Sequence, residues 1–248
     1  MIFFDITSFL EANNDNHKYL QLSKLARQAA SMSSIRNDIV KANGLIEYSK
    51  KLHARLRESS NGKPVEGDEP LIAHAIFVDA LLLYTRATHS QSRARNKLDV
   101  FKSFDTETLE YYRCLTQLRD NFFAHYSKPA GWEHDRVVYA LDAANERAAL
   151  SFPHEAYYVK ADDAQKLEAV LAAATLVIDK RYDHAARKLS DEIVRISEAV
   201  PTFAKQLNIH RFIPEHFFAE DEVEGFISTI GGQKHFNPLP KVKFQRRS

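Results

Sequence analysis

The chain is 248 residues long, enough for one large domain or two small ones with a sizeable core, and its 44% hydrophobic and 27% charged residues are ordinary globular composition. A net charge of +1 excludes a global basic field, so a nucleic-acid surface on this protein has to be a local patch. The single cysteine, Cys114, excludes an intrachain disulfide and a multi-cysteine zinc site, and it points to a reducing compartment. Seven glycines and eight prolines are few for a sheet-rich protein with many tight turns. The opening Met1-Ile2-Phe3-Phe4-Asp5 lacks the basic region and long apolar run of a signal peptide. The most apolar segment, 72–84, is interrupted by His74 and Asp79 and is too short for a bilayer. The expected location is the cytoplasm, away from membrane.

Residues 17–59 carry a helical pattern rich in Leu, Ala, Lys, Arg and Glu, with Asn43-Gly44 marking a kink or break because glycine weakens a helix. Ser59-Ser60-Asn61-Gly62-Lys63-Pro64 is the clearest loop. A second helix starts after Asp68, with Pro70 in its first turn, where the missing N–H costs nothing. It runs through Ile72, Ile76 and Leu83 toward Arg86 and is apolar nearly all round, which predicts a central helix. The polar stretch 89–103 reads as loop or frayed helix end. Asp105 or Thr106 can cap the next helix, with Glu107 and Glu110 near its positive end. That helix should stop near Pro129. Residues 136–141 and 147–152 are β-prone and joined by Asp142-Ala143-Ala144-Asn145; with Tyr157-Tyr158-Val159 they suggest a small hairpin inserted between helices, although Ala143–Ala149 fits a helical turn as well.

From 162 to about 200 the spacing of Leu167, Leu171, Ala174, Ile178, Leu189, Ile193 and Ile196 is helical again, and Pro201 ends it. Residues 201–248 read as an extension, acidic at Glu215, Glu220, Asp221, Glu222 and Glu224, then basic at Lys241, Lys243, Arg246 and Arg247. The expected fold is all-α, a bundle of four or five main helices with a small β-hairpin insertion. The expected organisation is a helical domain over 1–200 followed by the extension 201–248.

The chemistry concentrates in Leu118-Arg119-Asp120-Asn121-Phe122-Phe123-Ala124-His125-Tyr126. On a helical wheel Leu115, Leu118 and Phe122 share an apolar arc, with Arg119 at one edge and His125 at the other, about 120° and roughly 9 Å apart. An arginine there needs an anion, carbonyls or water, because burying it unpaired costs several kcal/mol. One helix does not easily aim both groups at one point. A two-fold related copy brings both pairs around one cleft, so the spacing favours a homodimer with a composite site. Histidine titrates near neutrality and can move the proton of a 2′-hydroxyl or of a leaving oxygen. Arginine presents a fork of donors to a phosphate whose charge grows in the transition state. RNA supplies its own nucleophile, so this chemistry needs no metal and no cofactor.

Arg119-Asp120, four further residues and then His125 resemble the arginine–polar–spacer–histidine motif of HEPN domains, and Leu-Arg-Asp-Asn-Phe-Phe-Ala-His-Tyr is similar to HEPN proteins of the abortive-infection type. The resemblance covers residues 71–200. It implies an all-α bundle, dimerisation and metal-independent endoribonuclease activity in toxin–antitoxin or phage-defence systems, with RNA as substrate and a cognate antitoxin as partner. By the same resemblance Arg119 and His125 take the catalytic positions, and Asp120 the polar one, with Tyr126 beside them in support. Some HEPN proteins are non-catalytic, so a helical module that binds RNA, a nucleotide or a protein is the alternative.

Arg86, Arg93 and Arg95 lie in a run with no acidic residue until Asp99 and are the candidate RNA-backbone contacts; a solvated loop is the plainer account of such a run. Arg86, at the end of the central helix, is the member placed to approach the motif. The eleven histidines form no His-x-x-x-His pair with a third ligand, and Gly231-Gly232 lacks the Lys-Ser or Lys-Thr of a phosphate loop. Tyr111, Tyr112, Phe122 and Phe123 sit at helical spacing among leucines and read as core. For the motif itself, the structural alternative is a histidine that satisfies last-turn carbonyls and an Arg119 ion-paired with Asp120 or Glu110.

Overall fold

A computed structural model describes residues 2–60, 69–89, 98–120, 138–142, 147–151 and 161–231, and among them are seven α-helices and four short strands. His125, Tyr126, Arg93 and Arg95 lie outside these residues. So do the loop 61–64, the segment 157–159, the stop expected near Pro129 and the basic tail. The fold is all-α, 82% helical, and among the described residues the only sheets are two-stranded. Contacts divide the chain into two compact units, one formed by residues up to Ser33 with those from Lys180 onward, the other by Ser34–Asp179. The division falls inside the two longest helices, Leu20–Ser60 and Ala161–Ala199.

In the first unit, β1 (Phe3–Phe4) pairs antiparallel with β4 (Arg211–Phe212). Helix α1 (Ile6–Ala12) is capped by Asp5, whose carboxylate accepts from the Ser8 N–H at 3.0 Å. Phe9, Tyr19, Leu22, Ile196, Phe203 and Leu207 form one buried cluster. The segment after Pro201, expected to be an appendage, therefore supplies core: α6 (Phe203–Leu207) packs on the N-terminal elements. Its apolar residues are too few to show a helical period, which hides them from a reading by periodicity. Helix α7 (Glu220–Gly231) places Glu220, Asp221 and Glu222 in its first turn, where the helix dipole favours negative charge.

The second unit is built on four helices. Helix α2 (Leu20–Ser60) contributes its part from Ser34, and α5 (Ala161–Ala199) its part up to Asp179. Three contacts fix them antiparallel: Arg36 Nε on Asp179 at 2.7 Å, Asn43 Nδ2 on Thr175 Oγ1 at 3.1 Å, and Lys50 Nζ on Glu168 at 2.8 Å. Helix α3 (Glu69–Thr88) also runs antiparallel to α2, with Ala73 and Ile76 against Leu52 at one end and Arg86 against Asp38 at the other. Helix α4 (Thr106–Leu118) starts at an Asp105 cap and joins α3 through an edge-on contact of Tyr112 with Tyr84. Strands β2 (Val138–Asp142) and β3 (Arg147–Ser151) form the expected hairpin, with Ala140 opposite Ala149.

Five expectations are corrected. Helix α2 runs unbroken through Asn43-Gly44: Asn43 also bonds back to the Ile39 carbonyl, and Gly44 faces open space, so only its propensity cost remains. Ser59 and Ser60 belong to that helix and not to a loop. Helix α3 is not covered all round, since Leu71, Ile72 and Leu82 are exposed while Ala73, Phe77, Ala80, Leu81, Tyr84 and Ala87 are buried. Its stretch Leu71–Thr88 is also long and apolar enough to cross a membrane, because Asp79 and Arg86 are offset by the aliphatic residues around them; 44% of that stretch is buried within the fold, and a core helix meets the same criterion. Finally, the polar stretch after α3 hides Leu98 and Val100, both fully buried.

Candidate functional site

Helix α4 forms because Asp105 caps it and because Tyr112, Leu115 and Leu118 recur at helical spacing on its buried face. The Asp105 carboxylate accepts the Thr108 N–H at 2.7 Å, which holds its pKa below the ordinary carboxylate range. Tyr112, expected as core, is buried, and its pKa is raised by that burial; its hydroxyl lies 3.2 Å from His89 Nδ1. Tyr111 is half-buried and its hydroxyl donates to Glu107. At Arg119 and Asp120 the helix widens into a π-type turn. Such turns displace side chains from the regular helical register and recur at functional sites.

Arg119 closes the end of α4. Its Nη1 donates to Asp120 Oδ1 at 2.6 Å, while its buried Nε has no acceptor among the described residues. The ion pair with Asp120 is the structural alternative anticipated from the sequence. The unpartnered Nε is not accounted for by that pair, and an N–H buried without an acceptor costs about 1–3 kcal/mol.

Arg119 and Arg86 line one cleft of about 330 Å³, together with Asp79, Leu82, Leu83 and Thr85. Five of the six lining residues come from the last turns of α3, so the helix that carries the core also carries one wall of the cleft. Arg86 is fixed side-on: Nε donates to Asp38 Oδ2 at 3.0 Å and Nη2 to Asp38 Oδ1 at 2.5 Å. Those bonds raise its already high pKa, with a smaller contribution from the charges of Asp38 and Asp79. Asp38 is buried at 4% exposure, whereas the Arg86 side chain is 56% exposed. A buried carboxylate thus holds a guanidinium whose other edge faces outward.

Asp38 was not singled out in the sequence, and no local signal marks it. It is 48 positions from Arg86 and looks like any polar residue on α2. The cleft sets two guanidiniums with unspent donors against the Asp79 carboxylate and two aliphatic side chains. Among the described residues, no group of three or more His, Cys, Asp or Glu side chains comes together to hold a metal ion. Compared with known protein families, with characterised proteins and with solved structures, the chain finds no match.

Proposed function

We propose that this chain is a metal-independent endoribonuclease of the HEPN kind, acting in the cytoplasm in a toxin–antitoxin or phage-defence setting. The observation that carries the reading is the convergence of Arg119, with its unpartnered Nε, and Arg86 on one cleft. A phosphodiester strand entering the cleft meets donors from both guanidiniums. Arg119 stabilises the charge that grows on the non-bridging oxygens as the 2′-oxygen attacks phosphorus and the bond to the 5′-oxygen breaks. His125 follows six residues later and, by the resemblance of the motif, takes the 2′-hydroxyl proton or returns one to the leaving oxygen. Two copies of the chain supply both proton-transfer groups at once, so the enzyme acts as a homodimer. The exposed Leu71, Ile72 and Leu82 of α3 give apolar surface for such an association.

The test is cleavage of single-stranded RNA by the purified full-length protein in EDTA. Wild-type protein should cut, and His125→Ala and Arg119→Lys should each lose about 100-fold or more in rate, with helix content and oligomeric state unchanged. Full activity in either variant, or strict dependence on a divalent metal, contradicts the mechanism.

A specific observation favours a second reading. Asp120 already neutralises Arg119, and Asp79 faces the same cleft, which lowers its attraction for polyanions. A non-catalytic module that binds RNA, a nucleotide or a protein through this cleft leaves substrate intact on prolonged incubation with wild-type protein.

A further inference from the structure

Arg86 leaves the end of α3 and has most of its side chain in solvent, where a long cationic side chain ordinarily samples many rotamers. Here two bonds to one carboxylate remove that freedom. The side-on fork uses Nε and one hydrogen of Nη2, so both hydrogens of Nη1 and the second of Nη2 stay available on the opposite edge. That residue lines the cleft shared with Arg119. Asp38 itself is nearly inaccessible and sits on α2, whose antiparallel contacts with α5 on either side of it, through Arg36 and Asn43, hold the carboxylate in place.

We infer that Asp38 is a positioning residue: it presents the free edge of Arg86 to a phosphate one step along the strand from the phosphate that Arg119 grips. The inference rests on the ribonuclease reading of the cleft and extends it from a single phosphate to a dinucleotide. Arg86 binds an unreacting phosphate, so its contribution is to substrate affinity and not to the chemical step. Asp38 touches no substrate, and its effect on binding is relayed by Arg86. Asp79, which shares the cleft wall, limits the gain by competing electrostatically for the same guanidinium, so the ordering supplied by Asp38 matters more than charge alone.

The experiment is a double-mutant cycle with Asp38→Asn and Arg86→Ala, read as binding of a 2′-O-methyl oligoribonucleotide and, separately, as KM and kcat on unmodified RNA. The methylated strand keeps the phosphates but has no 2′-hydroxyl to attack, so it reports the cleft without turnover. Arg86→Ala should weaken binding about tenfold, the size of one charge-assisted contact. Asp38→Asn keeps the side-chain shape, removes the buried charge and should weaken binding about threefold or more, by releasing the guanidinium. Both should raise KM and spare kcat. In the Arg86→Ala background, Asp38→Asn should cost nothing further, because its effect passes through the missing arginine. A merely structural carboxylate gives the same loss in both backgrounds, and that additive outcome overturns the inference. An Asp38→Asn protein that binds like wild type while Arg86→Ala is impaired also overturns it and leaves the ribonuclease reading standing. Wild-type protein that neither binds the methylated strand nor cuts RNA removes that reading and this inference together.

Discussion

At the scale of single residues, the cleft is a contest between two guanidiniums and the carboxylates around them. Arg119 is half committed, with one terminal nitrogen on Asp120 and its Nε buried and unpartnered. Asp120 is partly exposed, so its pair with Arg119 is worth little to stability, but it competes directly with an incoming phosphate. Asp120→Asn should therefore tighten binding of a 2′-O-methyl oligoribonucleotide by roughly 2–5-fold, the size of one exposed ion pair. Weaker binding in that variant, measured by titration at fixed ionic strength, shows instead that the carboxylate holds Arg119 in its working position. Arg119 was legible in the sequence because a helix end with a charged residue beside an apolar arc is a local pattern. The cleft was not: Arg86 and Asp38 meet Arg119 only through the packing of α2 and α3, which no spacing within one helix encodes.

At the scale of elements, helix starts and stops follow from single residues. Pro70 lies in the first turn of α3, Asp105 caps α4, and α5 ends before Pro201. These were legible because each acts on its own neighbours. Gly44 was misread for the same reason in reverse: its local cost is real, but a helix of 41 residues held by three polar contacts to α5 carries it. Since Gly44 faces open space, Gly44→Ala should stabilise the protein by about 0.5–1 kcal/mol and raise Tm. A lowered Tm in that variant contradicts the unstrained geometry of the helix there. In the part of α5 beyond Lys180, Arg195 forks onto Glu192 at 2.7 and 2.8 Å and holds its pKa below the usual carboxylate range. A depressed carboxylate contributes stability that is fully present above its unfolded value of about 4.3 and is lost as pH falls through the folded value. Glu192→Gln should flatten the acid side of the stability–pH curve below that value, and an unchanged acid limb in urea titrations shows the pair contributes nothing.

At the scale of the whole molecule, the chain closes on itself. Its first strand pairs with residues 211 and 212, and Phe9 and Tyr19 share a cluster with Phe203 and Leu207. Removing everything after Val200, harmless for a trailing extension, should leave that cluster open, lower Tm and increase binding of a hydrophobic dye; a truncated protein as stable as the full chain contradicts this. The all-α class was legible because helical periodicity is a local signal repeated over long segments. The joining of the two ends was not, because β1 and β4 are two residues each and their pairing spans nearly the whole sequence.

The most direct measurement compares an oligoribonucleotide with its 2′-deoxy counterpart of the same sequence, both incubated with wild-type protein in EDTA, with product ends identified by mass spectrometry. The expected result is cleavage of the ribo strand to 2′,3′-cyclic phosphate and 5′-hydroxyl ends, with the deoxy strand intact. Cleavage of the deoxy strand, 5′-phosphate ends, or no cleavage of either strand contradicts a ribonuclease built on Arg119 and His125.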